Sequence, residues 1–551
     1  MSASADLPRF ARRCRLSKRS REARAQLRRH VAPSSRGLLL FPSASVMPEP
    51  TTSSETDAKT RSSDVKWQAV SGVKSLGLRT AFSLGLRIVS SLVLSRLLFP
   101  KDYGLFGVAA SIAGMGMYLC DIGLAAAIIR KPGIPTEEEL STVFFAQQAI
   151  TALVVLVIMA ASPWLTVFYH LSRTAWAILA WMAIGLFFSS GRIVPVLLLE
   201  RRLAFKTIAK CELIENVVQT ASTIAMAFAG LGAWALAGGG LIRGVVGLVI
   251  WFRASPWRPV AYPKVALLRT LAGFGLQFQL NAIVPALFGG WLPLAVSRLL
   301  GLTALGYVGW AMNLASVPLT LVSVLNRVAF PAMSRLQSDQ AYVGASLQQS
   351  IRRLGALLWL VAPLAVIVAP VAIPLLFRSR WLPAVPLMQW LIMEAVLQSL
   401  NGMLAMTQNA NGYPGDRLII TIIMGAVRAG AGYFCVLRFG MIGIGPLLTT
   451  ATLLEIAISC FTLRRRNPHC AIPFDALLRP LVIVYMRLGV ALLIGRQLGH
   501  ENPIFSATIS LAIFVSLVAL SEVLYSAARK ESDLRLVLRM MTDRRANTVQ
   551  S

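Results

Sequence analysis

From Leu76 onward the chain is a succession of long apolar runs joined by short polar loops. A helix needs about 20 mostly apolar residues to cross the hydrocarbon of a bilayer. Fourteen segments reach that length, near 76–98, 103–129, 143–167, 174–199, 211–230, 233–253, 271–300, 304–331, 354–377, 384–407, 417–438, 441–463, 477–497 and 503–527. Strand-like alternation of polar and apolar positions is absent, so the pattern predicts an all-α integral membrane bundle. Polar residues interrupt two of the segments: Glu212, Glu215, Asn216 and Gln219 in the fifth, and Arg487 in the thirteenth. No gap between segments is long enough for a soluble catalytic domain.

Composition agrees with that pattern. Of 551 residues, 56% are hydrophobic and 14% charged, and mean hydropathy is +0.65. An ordinary soluble chain is about 25% charged, so a soluble enzyme, a disordered protein and a disulfide scaffold are poor fits. Six scattered cysteines with no CxxC or Cys/His spacing, and only four histidines, indicate no disulfide frame and no metal site.

The net charge of +30 would suggest nucleic acid in a soluble chain. Here the basic residues fall in the short loops. With the N-terminus inside, loops after even-numbered spans hold Arg130 and Lys131; Arg201, Arg202, Lys206 and Lys210; Arg253, Arg258, Lys264 and Arg269; Arg335, Arg352 and Arg353; and Arg464, Arg465, Arg466 and Arg479. Loops after odd-numbered spans hold few. This asymmetry predicts a multi-pass protein with both termini cytoplasmic and no nucleic-acid partner. Residues 1–46 carry eleven Arg/Lys and no run long enough for a signal peptide or a span. They read as a basic tail touching anionic lipid or nucleic acid, or as a disordered overhang with Met47 as the true initiator. The Pro/Ser/Thr-rich stretch 48–64 extends that disorder.

The sequence repeats itself. Ser95-Arg96-Leu97-Leu98 closes the first span and Ser297-Arg298-Leu299-Leu300 the seventh, 202 positions on. Val157, Ile158, Ala160 and Phe168 are echoed by Val366, Ile367, Ala369 and Phe377, 209 positions on. A unit of six spans is even, so its two copies share one orientation and are related by an axis along the membrane normal. The organisation expected is a disordered extension (1–65), a first lobe of spans 1–6 (66–265), a second lobe of spans 7–12 (266–465), two extra spans (466–528) and a basic tail (529–551). Two such lobes can rock about a midplane cavity.

The run LSRLLFPKDYGLFGVAASIAGMGMYLCDIGLAAAIIRKPGIPTEEELSTVFF (94–145) resembles the Wzx-type polysaccharide flippases, as do LLLERRLAFKTIA (197–209), SPWRP (255–259), AFPAMSRLQ (329–337) and WLPAVPLMQWL (381–391). The likeness covers residues 66–465 in the family's order, and points to the colanic-acid exporter-like branch of the multidrug/oligosaccharidyl-lipid/polysaccharide exporter superfamily. It implies movement of undecaprenyl-pyrophosphate-linked oligosaccharide from the cytoplasmic to the periplasmic leaflet of a bacterial inner membrane, for exopolysaccharide or lipopolysaccharide biosynthesis. The partners implied are that lipid-linked substrate, membrane lipid, a proton or sodium counter-ion, and a polymerase with its chain-length regulator. A lipid II flippase and a drug/cation antiporter of the same superfamily are the alternatives.

Such transport changes no covalent bond, so neither catalytic residues nor a cofactor are expected. It does require a wet cationic cavity, because an uncompensated charge at the bilayer centre costs at least ~2.5–3.5 kcal/mol. Ser75, Arg79, Ser83, Arg87 and Ser90 share one face of the first span, and the 202 offset maps Ser75 onto Gln277 and Arg79 onto Asn281. Arg79, Arg87, Arg243, Arg428, Gln277 and Asn281 are thus the candidate substrate-binding residues, since guanidinium forks suit phosphate oxygens. The competing roles for the arginines are snorkelling and structural ion pairing. Asp121, Glu215 and Glu394 are candidate ion-coupling or structural acids. Glu394, Gln398 and Asn401 form a polar stripe on the tenth span.

Overall fold

The computed structural model describes residues 80–527 apart from 81, 122, 131, 132, 170, 171, 203, 261, 262, 318, 320–339, 467, 469–473, 500 and 501. All described residues fall in one compact unit, Gln68–Ser551. They are almost entirely helical: α1 (82–97), α2 (Pro100–Cys120), α3 (Leu124–Arg130), α4 (Glu137–Phe168), α5 (Arg173–Ser190), α6 (Ile193–Arg201), α7 (Phe205–Phe228), α8 (Ala233–Ala254), α9 (Val265–Ala315), α10 (Gln340–Phe377), α11 (Val385–Ala410), α12 (Pro414–Phe439), α13 (Ile444–Arg466), α14 (Phe474–Gly499) and α15 (Pro503–Ala527). Each apolar segment expected from sequence is mostly helical over its described part. Among the described residues, seven stretches are long and apolar enough to cross a membrane by length and composition, and one of them, Pro414–Arg466, contains both α12 and α13. Helices α7 and α11 are not among them, because the polar stripes around Glu215 and Glu394 dilute their apolar character.

Local sequence explains where helices stop. Between α1 and α2, Pro100 occupies the first turn, where its missing N–H costs nothing, and the Asp102 carboxylate accepts from the Phe99 N–H at 2.9 Å. Gly301 (φ 84°) divides α9 into the seventh and eighth predicted spans. Thr136 and Glu139 form a reciprocal capping box at the start of α4.

Two expected spans differ from the prediction by being broken. The second splits into α2 and α3 at Asp121, which therefore lies at a helix break and not inside a helix. Its Oδ1 accepts from the Gly123 N–H at 2.8 Å, and Gly123 takes φ 72°. Across the break, the Cys120 carbonyl accepts from Gln147 Nε2 at 3.0 Å. The fourth divides into α5 and α6 at Gly191 and Arg192. An apolar run of the right length carries no signal for a break of two or three residues.

The repeat is visible in the packing. Helix α2 lies along α9, and a Cβ on Gly104 would collide with the Leu302 carbonyl while one on Gly306 would collide with the Pro100 carbonyl. Gly104 and Gly306 are 202 positions apart, as are Pro100 and Leu302. The contact is thus its own image under the repeat, as a two-fold axis between α2 and the distal part of α9 requires. Small residues here allow close backbone approach. Helices α14 and α15 pack on each other and on α10.

Candidate functional site

A cavity of about 600 Å³ lies between α1, α2, α7, α8 and the distal part of α9. Helix α1 contributes Ser83, Arg87, Ser90 and Leu94; α7 contributes Asn216, Gln219, Thr220 and Thr223; α9 contributes Gly309, Trp310 and Asn313. It therefore spans both copies of the repeat. The α1 stripe expected from sequence is realised in Ser83, Arg87 and Ser90, whereas Ser75 and Arg79 lie outside the described residues. Gln277 and Asn281 are on α9, and their side chains also fall outside the described residues.

The geometry of α7 explains why one helix carries so many polar residues. At 100° per residue, Glu215 and Asn216 diverge, with Gln219 between them. Asn216, Thr220 and Thr223 line the cavity, while Glu215 turns toward α8 and the α5–α6 break. Glu215 is completely buried. It accepts from Arg192 at 2.7 and 2.6 Å and from Trp251 Nε1 at 2.7 Å, and Arg243 Nε stands 3.5 Å away. Arg243 also donates to Gln219 Oε1 at 3.1 Å.

A second polar cluster joins α11, α12 and α13. Glu455, nearly fully buried, accepts from Arg417 at 2.7 Å and from Arg428 at 2.6 Å. Arg428 also donates to Thr452 Oγ1 at 3.2 Å; that hydroxyl donates to Glu394 at 3.1 Å and accepts from Gln398 at 3.1 Å. Neither Arg243 nor Arg428 is among the residues lining the cavity, and both sit against buried carboxylates. Isolated buried charge is too costly to persist without such pairing.

The cavity ends, toward the α1–α2 junction, at a clamp between the two halves. Arg96 Nε donates to the Leu376 carbonyl at 2.7 Å, Arg380 donates to the Arg96 carbonyl at 2.6 Å, and Trp381 Nε1 donates to the Ser95 carbonyl at 3.0 Å. Arg380 also lies over the Phe99 ring at 4.7 Å. Burial, and then the charge of Arg378, lower the Arg380 pKa from its ordinary value. Trp381 stacks on Trp310 at 4.5 Å between ring centroids and takes edge contacts from Tyr103 and Tyr307. Arg378, just before, adopts φ 75°, a backbone region unfavourable to any residue but glycine.

Sequence reading missed Arg192, Arg417, Trp310, Trp381 and Trp251 as members of these sites. Arg192 and Arg417 lay within predicted spans and carried the same signal as Arg243. The tryptophans carried none, since Trp381 reads as an interfacial residue.

The helical bundle, its apolar spans and its internal repeat define a multi-pass membrane protein with a polar cavity between repeated halves. The chain belongs to the polysaccharide biosynthesis protein family, whose model matches residues 93–386. It is 24% identical over 381 residues to the lipopolysaccharide biosynthesis protein WzxC of Escherichia coli K12, covering 66% of this chain and 76% of that one. It is 22% identical over 475 residues to the teichuronic acid biosynthesis protein TuaB of Bacillus subtilis 168, covering 82% and 94%. Its fold is similar to that of the lipid II flippase MurJ in an inward closed conformation, with TM-score 0.66 and 12% identity over 82% of this chain and 99% of that one.

Proposed function

We propose that this protein moves undecaprenyl-pyrophosphate-linked oligosaccharide from the cytoplasmic to the periplasmic leaflet of a bacterial inner membrane by alternating access, with both termini cytoplasmic. The observation that supports this is the cavity lined by Arg87 and by amide and hydroxyl side chains, in a chain of a polysaccharide biosynthesis family. The polyprenyl tail stays in lipid while the headgroup crosses through the cavity, so no bond is made or broken. In this orientation the Arg96–Arg380–Trp381 clamp is periplasmic, and the cavity is closed on that side. Residues 66–265 and 266–465 act as the two rocking lobes.

Arg87 is the residue we assign to the pyrophosphate, because a guanidinium presents a planar fork to phosphate oxygens. Arg243 and Arg428 hold the buried acids Glu215 and Glu455. Among the three candidate coupling acids, Asp121 caps a helix break and Glu215 is occupied by two arginines, whereas Glu394 is held by the neutral Thr452 hydroxyl. Glu394 is therefore the acid we assign to proton or sodium coupling. The product passes to a periplasmic polymerase.

The test is a deletion strain. Accumulation of lipid-linked repeat units, with surface polymer lost and growth retained, is the expected result. Loss of viability with accumulation of peptidoglycan precursor would instead point to a lipid II flippase.

A further inference from the structure

Two hydrogen-bond donors of the cavity have no partner among the described residues. Trp310 is 1% exposed, and its Nε1–H is unpaired. The indole cannot turn away to find a partner, because it is stacked on Trp381 and packed edge-on against Phe377 at 5.0 Å. The second donor is the Gln219 carboxamide nitrogen. Arg243 is a pure donor, so its 3.1 Å contact must be to the Gln219 oxygen, which directs the NH2 group away from Arg243. Arg243 is in turn set by Glu215, itself fixed by Arg192 and Trp251. A buried polar group without a partner, as Trp310 Nε1 is, is rare in folded proteins and calls for an explanation, while Gln219 is half-buried and lines the cavity.

We propose that the Trp310 and Gln219 N–H groups seat the sugar headgroup of the substrate, and that Arg243 is a positioning residue that orients Gln219 for this task. The inference rests on the flippase reading above. Both donors are uncharged, which suits hydroxyl and ring oxygens rather than a pyrophosphate, and Ser83, which lines the same cavity, has a buried hydroxyl that, like Trp310 Nε1, has no partner among the described residues. A hydroxyl can both donate and accept, as sugar hydroxyls require. The charged end of the headgroup falls to Arg87. The cavity then reads two chemistries with two sets of residues, and Arg243 serves the sugar without touching it.

The experiment compares two probes on the purified full-length protein by native mass spectrometry titration. One is bare undecaprenyl pyrophosphate; the other is the lipid-linked oligosaccharide pool extracted from the deletion strain. Wild type should bind the sugar-bearing pool more tightly. Trp310→Phe, which keeps the stacking, and Gln219→Leu should each weaken the pool by about three- to tenfold, the loss of one net hydrogen bond, and leave bare undecaprenyl pyrophosphate unchanged. Arg243→Met should match Gln219→Leu and add nothing in the double variant, while Arg243→Lys, which still donates to the amide oxygen, should retain the sugar preference. Equal weakening of both probes, or of neither, overturns the sugar assignment. A further loss on adding Arg243→Met to Gln219→Leu overturns the positioning role. Wild type binding neither probe overturns the flippase reading itself, and this inference with it.

Discussion

Arg428 and Glu455 meet at 2.6 Å across α12 and α13, and the corresponding positions of the first half carry the same pair with the charges exchanged. Glu215 and Arg428 stand 213 positions apart, Arg243 and Glu455 stand 212 apart, and Glu215 lies 3.5 Å from Arg243. The repeat offset drifts from 202 through 209 to these values along the chain. Each half thus ties its fifth and sixth spans together by an acid and an arginine, and which helix carries which charge is free to change.

That exchange can be tested directly. Removing one partner of a buried pair typically costs about 3–5 kcal/mol because the other charge is stranded. Glu455→Ala is expected to lower the thermal unfolding midpoint in detergent sharply. The swapped variant Arg428→Glu/Glu455→Arg should recover most of the loss, since the first half already uses that polarity. A swap no more stable than Glu455→Ala would show that Arg417 and Thr452 fix the polarity locally.

Arg87→Ala should impair translocation at normal membrane levels of the protein. Losing a charge-assisted hydrogen bond costs about 1.5–3 kcal/mol, an affinity loss of about ten- to a hundredfold. Arg87→Lys should recover part of it, because charge persists while the planar fork is lost. The readout is surface polymer per unit of membrane protein, and full activity of Arg87→Ala would remove Arg87 from the site.

The clamp predicts a change in accessibility. In a Ser90→Cys reporter, Arg380→Ala should raise labelling by a membrane-impermeant thiol reagent added from the periplasmic side, and Trp381→Phe should do so less, since its ring contacts survive. Unchanged labelling in Arg380→Ala would mean that the ring stack alone closes this end.

Gly104→Val and Gly306→Val should be equally harmful, because each drives a side chain into the opposing backbone. Overpacking of this kind costs about 1–3 kcal/mol. Measured by the unfolding midpoint, a large loss at one glycine and none at the other would break the two-fold relation between α2 and α9.

The fold was largely legible because a run of some twenty apolar residues has few physical alternatives to a span. The repeat was legible because Ser95-Arg96-Leu97-Leu98 recurs in register. Partners were not. Periodicity puts Arg243 on a face of α8 but does not reveal that α7 brings Glu215 and Gln219 to it. The α7 stripe read as one polar face, whereas it is two adjacent faces with different neighbours, and only three-dimensional packing separates Glu215 from Asn216. The structural alternative for Asp121 took a form that the sequence does not show: the residue caps a break in the helix, and an apolar run gives no sign that the backbone breaks there.

The clamp has one more property. Arg96, Arg380 and Trp381 donate to the main-chain carbonyls of Leu376, Arg96 and Ser95, and none of these bonds depends on an acceptor side chain. A closure keyed to the backbone cannot be tuned by substituting the residue that receives it. Of this hydrogen-bonded part of the closure, only the donors, or the helix ends that present the carbonyls, set the strength. Genetic adjustment of these bonds is therefore concentrated on three side chains, two of which, Arg380 and Trp381, are adjacent in a single short turn, while the ring contacts to Trp310, Tyr103, Tyr307 and Phe99 can be altered from either side.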